Sequence, residues 1–214
     1  MLFTRSYIQG LLINSRASSS IVQKIIEIYT DGSCYNNKSS SVNDKSSAVN
    51  DKSSAVNDKS LTVGGYAVYF PGAEHPTVCE SISGKSVTSS RCELIAVKTA
   101  LTIYNDHLHG KPCTIYTDSI FVIDALYRFS PVWRKNGWKK TDGTPVKNQD
   151  LLVPICDIFD ANRKYVSIKH VKAHTLNQDR HSLNNGVADV LAKNGAYPCE
   201  LILDTLKKCG NAKR

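Results

Sequence analysis

The chain has 214 residues, of which 41% are hydrophobic and 21% charged, and its 27 Lys and Arg against 19 Asp and Glu give a formal net charge of +8. That length holds one domain of ordinary size with tails, and no apolar run reaches the ~18 residues of a membrane-spanning helix, so a soluble protein is expected. The basic balance decides nothing about fold, but it favours an anionic partner such as nucleic acid.

Residues 1–24 carry Arg5, Arg16 and Lys24 and no acid. Serine, arginine and apolar residues without acids suit a mitochondrial targeting leader or a disordered basic leader, and both readings stand. Without targeting, the protein is expected in the nucleus or cytoplasm. IIEIYTD (25–31), GGYAVYF (64–70) and TVCESIS (77–83) are β-favouring runs joined by turn residues, and they predict three successive strands. Between the first two lie SSSVNDK, SSAVNDK and SSAVNDK, filling residues 39–59. The repeat has a coiled-coil period, but each unit offers only valine or Ala-Val and no apolar seam, and its Ser, Asn and Asp disfavour helix interiors. It reads as a polar low-complexity insertion that lengthens a hairpin loop, at an entropic cost that grows only logarithmically.

Leu94, Val97, Leu101, Tyr104 and Leu108 recur at spacings of three and four, which predicts a helix from about residue 90. CTIYTD (113–118) reads as a strand and IFVIDALYRF (120–129) as a helix. Proline, glycine and basic residues fill 130–147. NQDLLVPICDIFDANR (148–163) predicts a helix with Pro154 near its first turns, and YVSIKHV (165–171) a strand. NNGVADVLAKNGA (184–196) predicts a short last helix carrying Val187, Val190 and Leu191, followed by a basic tail over 197–214. The order β-β-β-α-β-α-α-β-α is that of an α/β layer fold with a mixed sheet. Seven cysteines, an odd number without a CxxC pair, suit reduced thiols in an intracellular protein.

IYTD occurs twice, ending at Asp31 and at Asp118. Glu93 opens the first predicted long helix and Asp189 the last. Each acid has a structural alternative: Asp-Gly and Asp-Ser are ordinary turns, Ser90 with Glu93 forms a capping-box pattern, and a helix dipole favours Asp189 near an N-terminus. Strand ends and helix starts also gather at one edge of an α/β sheet. Four carboxylates meeting there would repel one another unless a hard cation such as magnesium or manganese neutralised them. Two such ions can activate water and stabilise a leaving oxygen in phosphodiester cleavage.

YTDGSCYNN, TSSRCELIAV, YTDSIFVI, KHVKAHT and NNGVADVLAKNGA, in this order, resemble the motifs of type 1 ribonuclease H. WRKNGWKKTDGTPVKNQDLL resembles the basic protrusion of its cellular, eukaryotic-type members. The resemblance covers residues 25–196 and implies a five-stranded mixed sheet of order 3-2-1-4-5 flanked by helices. It implies an endonuclease that hydrolyses the RNA strand of RNA–DNA hybrids and leaves 5′-phosphate and 3′-hydroxyl ends. Two Mg2+ ions, for which Mn2+ substitutes, are implied on Asp31, Glu93, Asp118 and Asp189. His174 matches the mobile-loop histidine, and His170 is a weaker candidate. Thr88 and Asn148 match a pocket that grips a DNA-strand phosphate, and Phe129 and Trp133 match aromatics of the DNA channel. Trp138 matches packing within the protrusion. Asn37 and Asn185 match positions that contact the RNA strand.

From Arg128 to Asn148 there are six Lys or Arg against one Asp, a net +5 interleaved with two tryptophans, which suits a phosphate backbone. The chain departs from the family where Ser89 and Ser90 stand in place of amides and where Gly186 replaces an acid. It also has about five additional residues between His174 and Asp189. A monomer without membrane contact is expected. A catalytically silent hybrid-binding protein is the alternative from another class, and a strand-joining transposase or integrase is a second.

Overall fold

The computed structural model describes residues 23–35, 62–84, 86–172 and 179–196. Residues 1–22 of the leader, the heptapeptide repeat, Asn37, His174 and the C-terminal tail lie outside the described residues.

Five strands form one sheet: β1 (Ile26–Tyr35), β2 (Thr62–Tyr69), β3 (Val78–Gly84), β4 (Cys113–Thr117) and β5 (Val166–His170), in the order β3-β2-β1-β4-β5. β1 pairs antiparallel with β2, and β2 with β3, whereas β1–β4 and β4–β5 are parallel. This is the mixed sheet that the resemblance implied. The β1–β2 register runs to Tyr35↔Val63, so the repeat lies between two neighbouring antiparallel strands. β4 is buried along its whole length, and β1 is buried over residues 28–31, so both faces of these two strands are covered there.

Helix α1 (Ser89–Ile103) continues into a π turn over Tyr104–Leu108, and Leu94, Val97, Leu101, Tyr104 and Leu108 are all buried, as their spacing predicted. They join Ile28, Ile115, Leu152, Ile155 and Phe159 in the main core, to which helix α4 (Gln149–Asn162) also contributes. Residues 120–135 are continuously helical: α2 (Ile120–Asp124), a π turn (Ala125–Phe129) and α3 (Ser130–Lys135). The helix therefore runs six residues into the basic segment. Pro131, which has no N–H to donate, is the second residue of α3 and follows directly on the π turn that ends at Phe129.

The last helix, α5 (Arg180–Ala196), covers the opposite face of the sheet and starts four residues earlier than its apolar pattern predicted. Asp179 supplies the reason. Its carboxylate accepts the His181 and Ser182 amides at 3.0 and 3.1 Å, which satisfies donors that a helix start leaves open. Asp189 is therefore the tenth residue of α5 and does not open it. The buried face is Asn185, Ala188, Ala192 and Ala196, while Val187 and Val190 are 40% and 55% exposed. The sheet dictates this choice: a Cβ on Gly65 would lie 2.2 Å from the Ala192 carbonyl oxygen. Helix backbone and strand touch there, and only small side chains fit between them.

Candidate active site

Asp31 and Asp118 arrive side by side because β1 and β4 are parallel neighbours whose register ends at Thr30↔Thr117, one residue before each acid. The repeated IYTD is thus one motif delivered twice to the same sheet edge. Glu93 comes to them on the first turns of α1. The cap of that helix is Thr88, whose Oγ1 accepts the Arg91 amide at 3.3 Å, so Ser90 and Glu93 do not form the capping box their spacing suggested. Glu93 is left to face the strands. A Cβ on Gly32 would stand 2.2 Å from the Glu93 nitrogen, so glycine is what lets α1 close on β1.

Asp31, Glu93 and Asp118 each offer a carboxylate oxygen within 4.8 Å of the other two. Such crowding in a buried place is costly for charge. Burial, then the Asp118 charge, pushes Asp31 up to about 6, although the Gly32 amide donates to its Oδ1 at 2.8 Å. Burial, then Asp31 and Asp118, pushes Glu93 up to about 10, and a side-chain hydrogen bond joins Glu93 to Asp31. Asp118 is raised too, chiefly by burial. The Glu93 Oε2 is buried without a hydrogen-bond partner among the described residues. A carboxylate oxygen left over among three acids suits a cation, and a set of hard oxygen donors selects a metal such as magnesium or manganese.

Asp189 lies outside that trio but close enough for its charge to raise both Asp31 and Asp118. Its Oδ2 accepts from the Lys193 Nζ at 2.7 Å, one helical turn on. Asn185, one turn before Asp189, is 97% buried by its 3% exposure, and its side chain hydrogen-bonds the Asp118 carboxylate. Its Oδ1 has no hydrogen-bond partner among the described residues. His170 is exposed at the same edge, its Nε2 3.2 Å from the Asp118 carbonyl oxygen.

Beside this edge stand the N-termini of α1 and α4. Ser89 and Ser90 are exposed in the first turn of α1. Thr88 and Asn148, at the two helix starts, are linked through Arg91, which donates to the Asn148 Oδ1 at 3.2 Å and makes a two-pronged ion pair with Asp150 at 2.9 and 2.7 Å. Sequence reasoning did not single out Arg91 and Asp150. The signal was the Arg-x-Glu step itself, whose arginine sits one turn from the cap.

The basic segment carries an aromatic ladder. The Phe129 and Trp133 ring centroids are 5.4 Å apart, and those of Trp133 and Trp138 6.2 Å. The Arg128 and Arg134 guanidiniums lie 5.4 and 5.8 Å from the Phe129 and Trp138 centroids. A hairpin closes the segment, with the Val146 amide donating to the Trp138 carbonyl at 2.9 Å.

A family model described as RNase H matches residues 23–197. A ribonuclease H of Haemophilus influenzae (strain 86-028NP) is 30% identical over 177 residues, covering 82% of this chain and 92% of the relative. A ribonuclease H of Mesorhizobium japonicum is 31% identical over 180 residues, covering 83% and 81%. The solution structure of the PFV RNase H domain superposes with a TM-score of 0.57 at 23% identity over 82% of this chain and 96% of that one, a likeness of fold. The match runs through both copies of IYTD, the Arg-x-Glu helix and the last helix, and this chain belongs to the ribonuclease H family, type 1, as an enzyme of the nuclease class.

Proposed function

We propose that the protein cuts the RNA strand of RNA–DNA hybrids internally, as a monomer, and leaves 5′-phosphate and 3′-hydroxyl ends. Two divalent ions, magnesium or in its place manganese, would be held by Asp31, Glu93, Asp118 and Asp189. The observation that carries this reading is the convergence of Asp31, Glu93 and Asp118 with a buried Glu93 Oε2 that has no partner among the described residues. When bound, such ions supply Lewis acidity for activating water and for compensating charge on the leaving oxygen of a phosphodiester.

The chain's own groups prepare that edge. Glu93 must give up its proton to serve as an anionic donor, and its burial makes this unfavourable until positive charge is present. Asn185 fixes the Asp118 carboxylate by a hydrogen bond, and Lys193 holds that of Asp189. Thr88 and Asn148 would take a phosphate of the DNA strand, and Phe129 and Trp133 its sugars and bases. Asn185, Asn37, Ser89 and Ser90 would meet the RNA strand, where a 2′-hydroxyl separates RNA from DNA. Ser89 and Ser90 reach less far than amides, so weaker hybrid discrimination is expected from them. His174 would assist proton transfer or product departure.

The test is an RNA–DNA hybrid labelled on its RNA strand, incubated with magnesium or with EDTA. Internal cuts that need magnesium, with 3′ ends that a polymerase extends, are expected. Cleavage in EDTA, or fragments ending in cyclic phosphate, would contradict the proposal.

A further inference from the structure

Asn148 begins α4 in the left-handed region, φ 59° and ψ 31°, and its side chain does not cap the helix it starts. Asparagine ordinarily accepts a backbone amide in that place. Here its Oδ1 accepts from the Arg91 Nη1 at 3.2 Å instead. A guanidinium has only donors, so it pairs with the carbonyl end of an amide and never with the NH2 end. Arg91 therefore sets which end of Asn148 is left over for a ligand: Nδ2, a donor, which is the end a phosphate oxygen can accept from.

The guanidinium is itself held. Asp150, on the first turn of α4, takes Nη1 at 2.9 Å and Nη2 at 2.7 Å. The Arg91 backbone is tied to the start of α1, its amide donating to the Thr88 Oγ1 at 3.3 Å and to the Thr88 carbonyl at 2.9 Å. Arg91 is thus a strut between the two helix starts that carry Thr88 and Asn148. Its charge is largely spent on Asp150, whose carboxyl it holds below the usual range, so a distant phosphate sees a pair and not a bare cation.

We infer that Arg91 and Asp150 are positioning residues, which turn the Asn148 amide donor-outward and fix its spacing from Thr88, making that gap selective for a phosphate oxygen of the DNA strand. This rests on the reading of Thr88 and Asn148 as the grip on that phosphate.

The two possible roles of Arg91 predict opposite signs for one substitution. Asp150 is exposed, so Asp150→Ala leaves a folded protein with one more positive charge. If Arg91 touched phosphate directly, freeing it would tighten hybrid binding. If Arg91 acts through Asn148, losing its anchor loosens the amide and binding weakens.

The experiment measures RNA–DNA hybrid binding by fluorescence anisotropy in EDTA, with the full chain and Asp150→Ala, Arg91→Gln, Asn148→Ala and the Arg91→Gln/Asn148→Ala double variant. We expect Asp150→Ala to weaken binding about threefold, and Arg91→Gln and Asn148→Ala each about ten- to hundredfold, the scale of one hydrogen bond to a charged group. The double variant should bind no worse than Asn148→Ala alone, because both changes remove one interaction. In cleavage, KM should rise with kcat nearly unchanged. Tighter binding by Asp150→Ala, or full addition of the two single losses, would overturn the positioning role. Unchanged binding by Asn148→Ala would overturn the phosphate grip and the positioning role with it; hybrid cleavage by the intact protein would still stand as a separate result.

Discussion

Gly32 and Glu93 meet backbone to backbone, so closely that a Cβ on Gly32 would lie 2.2 Å from the Glu93 nitrogen and 2.3 Å from the Cys92 carbonyl carbon. Neither neighbour is a side chain that could swing away. Gly32→Ala must push α1 off β1, and Glu93 moves with it relative to Asp31. We expect a loss of about 1–3 kcal/mol in stability, the usual cost of overpacking, and a larger proportional loss of hybrid cleavage. Denaturant unfolding and kcat measured together check this. Wild-type values for both would show that the contact has no consequence.

The acidic cluster should make stability depend on pH with a definite sign. Asp31 sits at about 6 and Glu93 at about 10 in the folded protein, both above their unfolded values near about 4. The folded state therefore keeps protons that the unfolded chain releases. Without metal, this contribution is most favourable below about pH 4, falls through about 6 for Asp31, and goes on falling toward about 10 for Glu93. Glu93→Gln removes the largest part of that slope. In EDTA, the melting temperature of Glu93→Gln should rise relative to wild type as pH increases, and added magnesium should stabilise wild type more at high pH than at low. A difference between the two proteins that stays flat with pH would contradict this account.

On α5 the roles of large and small residues are the reverse of what hydrophobicity suggests. Val190 is 55% exposed and Ala192 fully buried against Gly65. Val190→Ser should change stability by less than about 0.5 kcal/mol. Ala192→Val should cost about 1–3 kcal/mol by overpacking and should impair cleavage, since Asp189 rides on the same helix. Thermal melting of the two variants decides the matter, and equal losses would refute the packing described.

Trp133 lies between Phe129 and Trp138 and also packs against the main core. Trp133→Ala should weaken hybrid binding by about 1–3 kcal/mol, the range for aromatic contacts to single strands, with a smaller loss of stability. Lys139→Ala, on the same protrusion, should instead lower the salt dependence of binding by about one phosphate contact. Anisotropy titrations over a range of salt separate the two effects. Identical salt slopes for Lys139→Ala and wild type would remove that lysine from the backbone path.

What could be read from the sequence follows from which forces act locally. The two IYTD segments declare themselves because a buried strand needs β-favouring apolar residues, and an acid at its end stands out. The period in Leu94–Leu108 marks a buried helix face for the same reason. α5 misleads because its packing is governed by a distant partner: Gly65 on β2 admits the helix backbone so closely that alanines, and not valines, fill the contact. Its true start was legible in Asp179, whose short acceptor side chain suits a helix cap, but an apolar pattern does not point there. The Arg91–Asp150 ion pair joins residues 59 apart in sequence and has no local signature. The close fit of Gly32 to α1 likewise emerges only when the helix and strand are placed together.

The most direct measurement of the central claim is cleavage of four labelled duplexes in magnesium, RNA–DNA, RNA–RNA, DNA–DNA and DNA with a single ribonucleotide, by the wild-type protein and by Asp118→Asn. The account predicts cutting of the RNA strand in the RNA–DNA hybrid, with none by the variant, whose changed side chain belongs to the carboxylate trio. Tight hybrid binding by the wild-type protein with no cutting of any duplex, or equal cutting by Asp118→Asn, would contradict it.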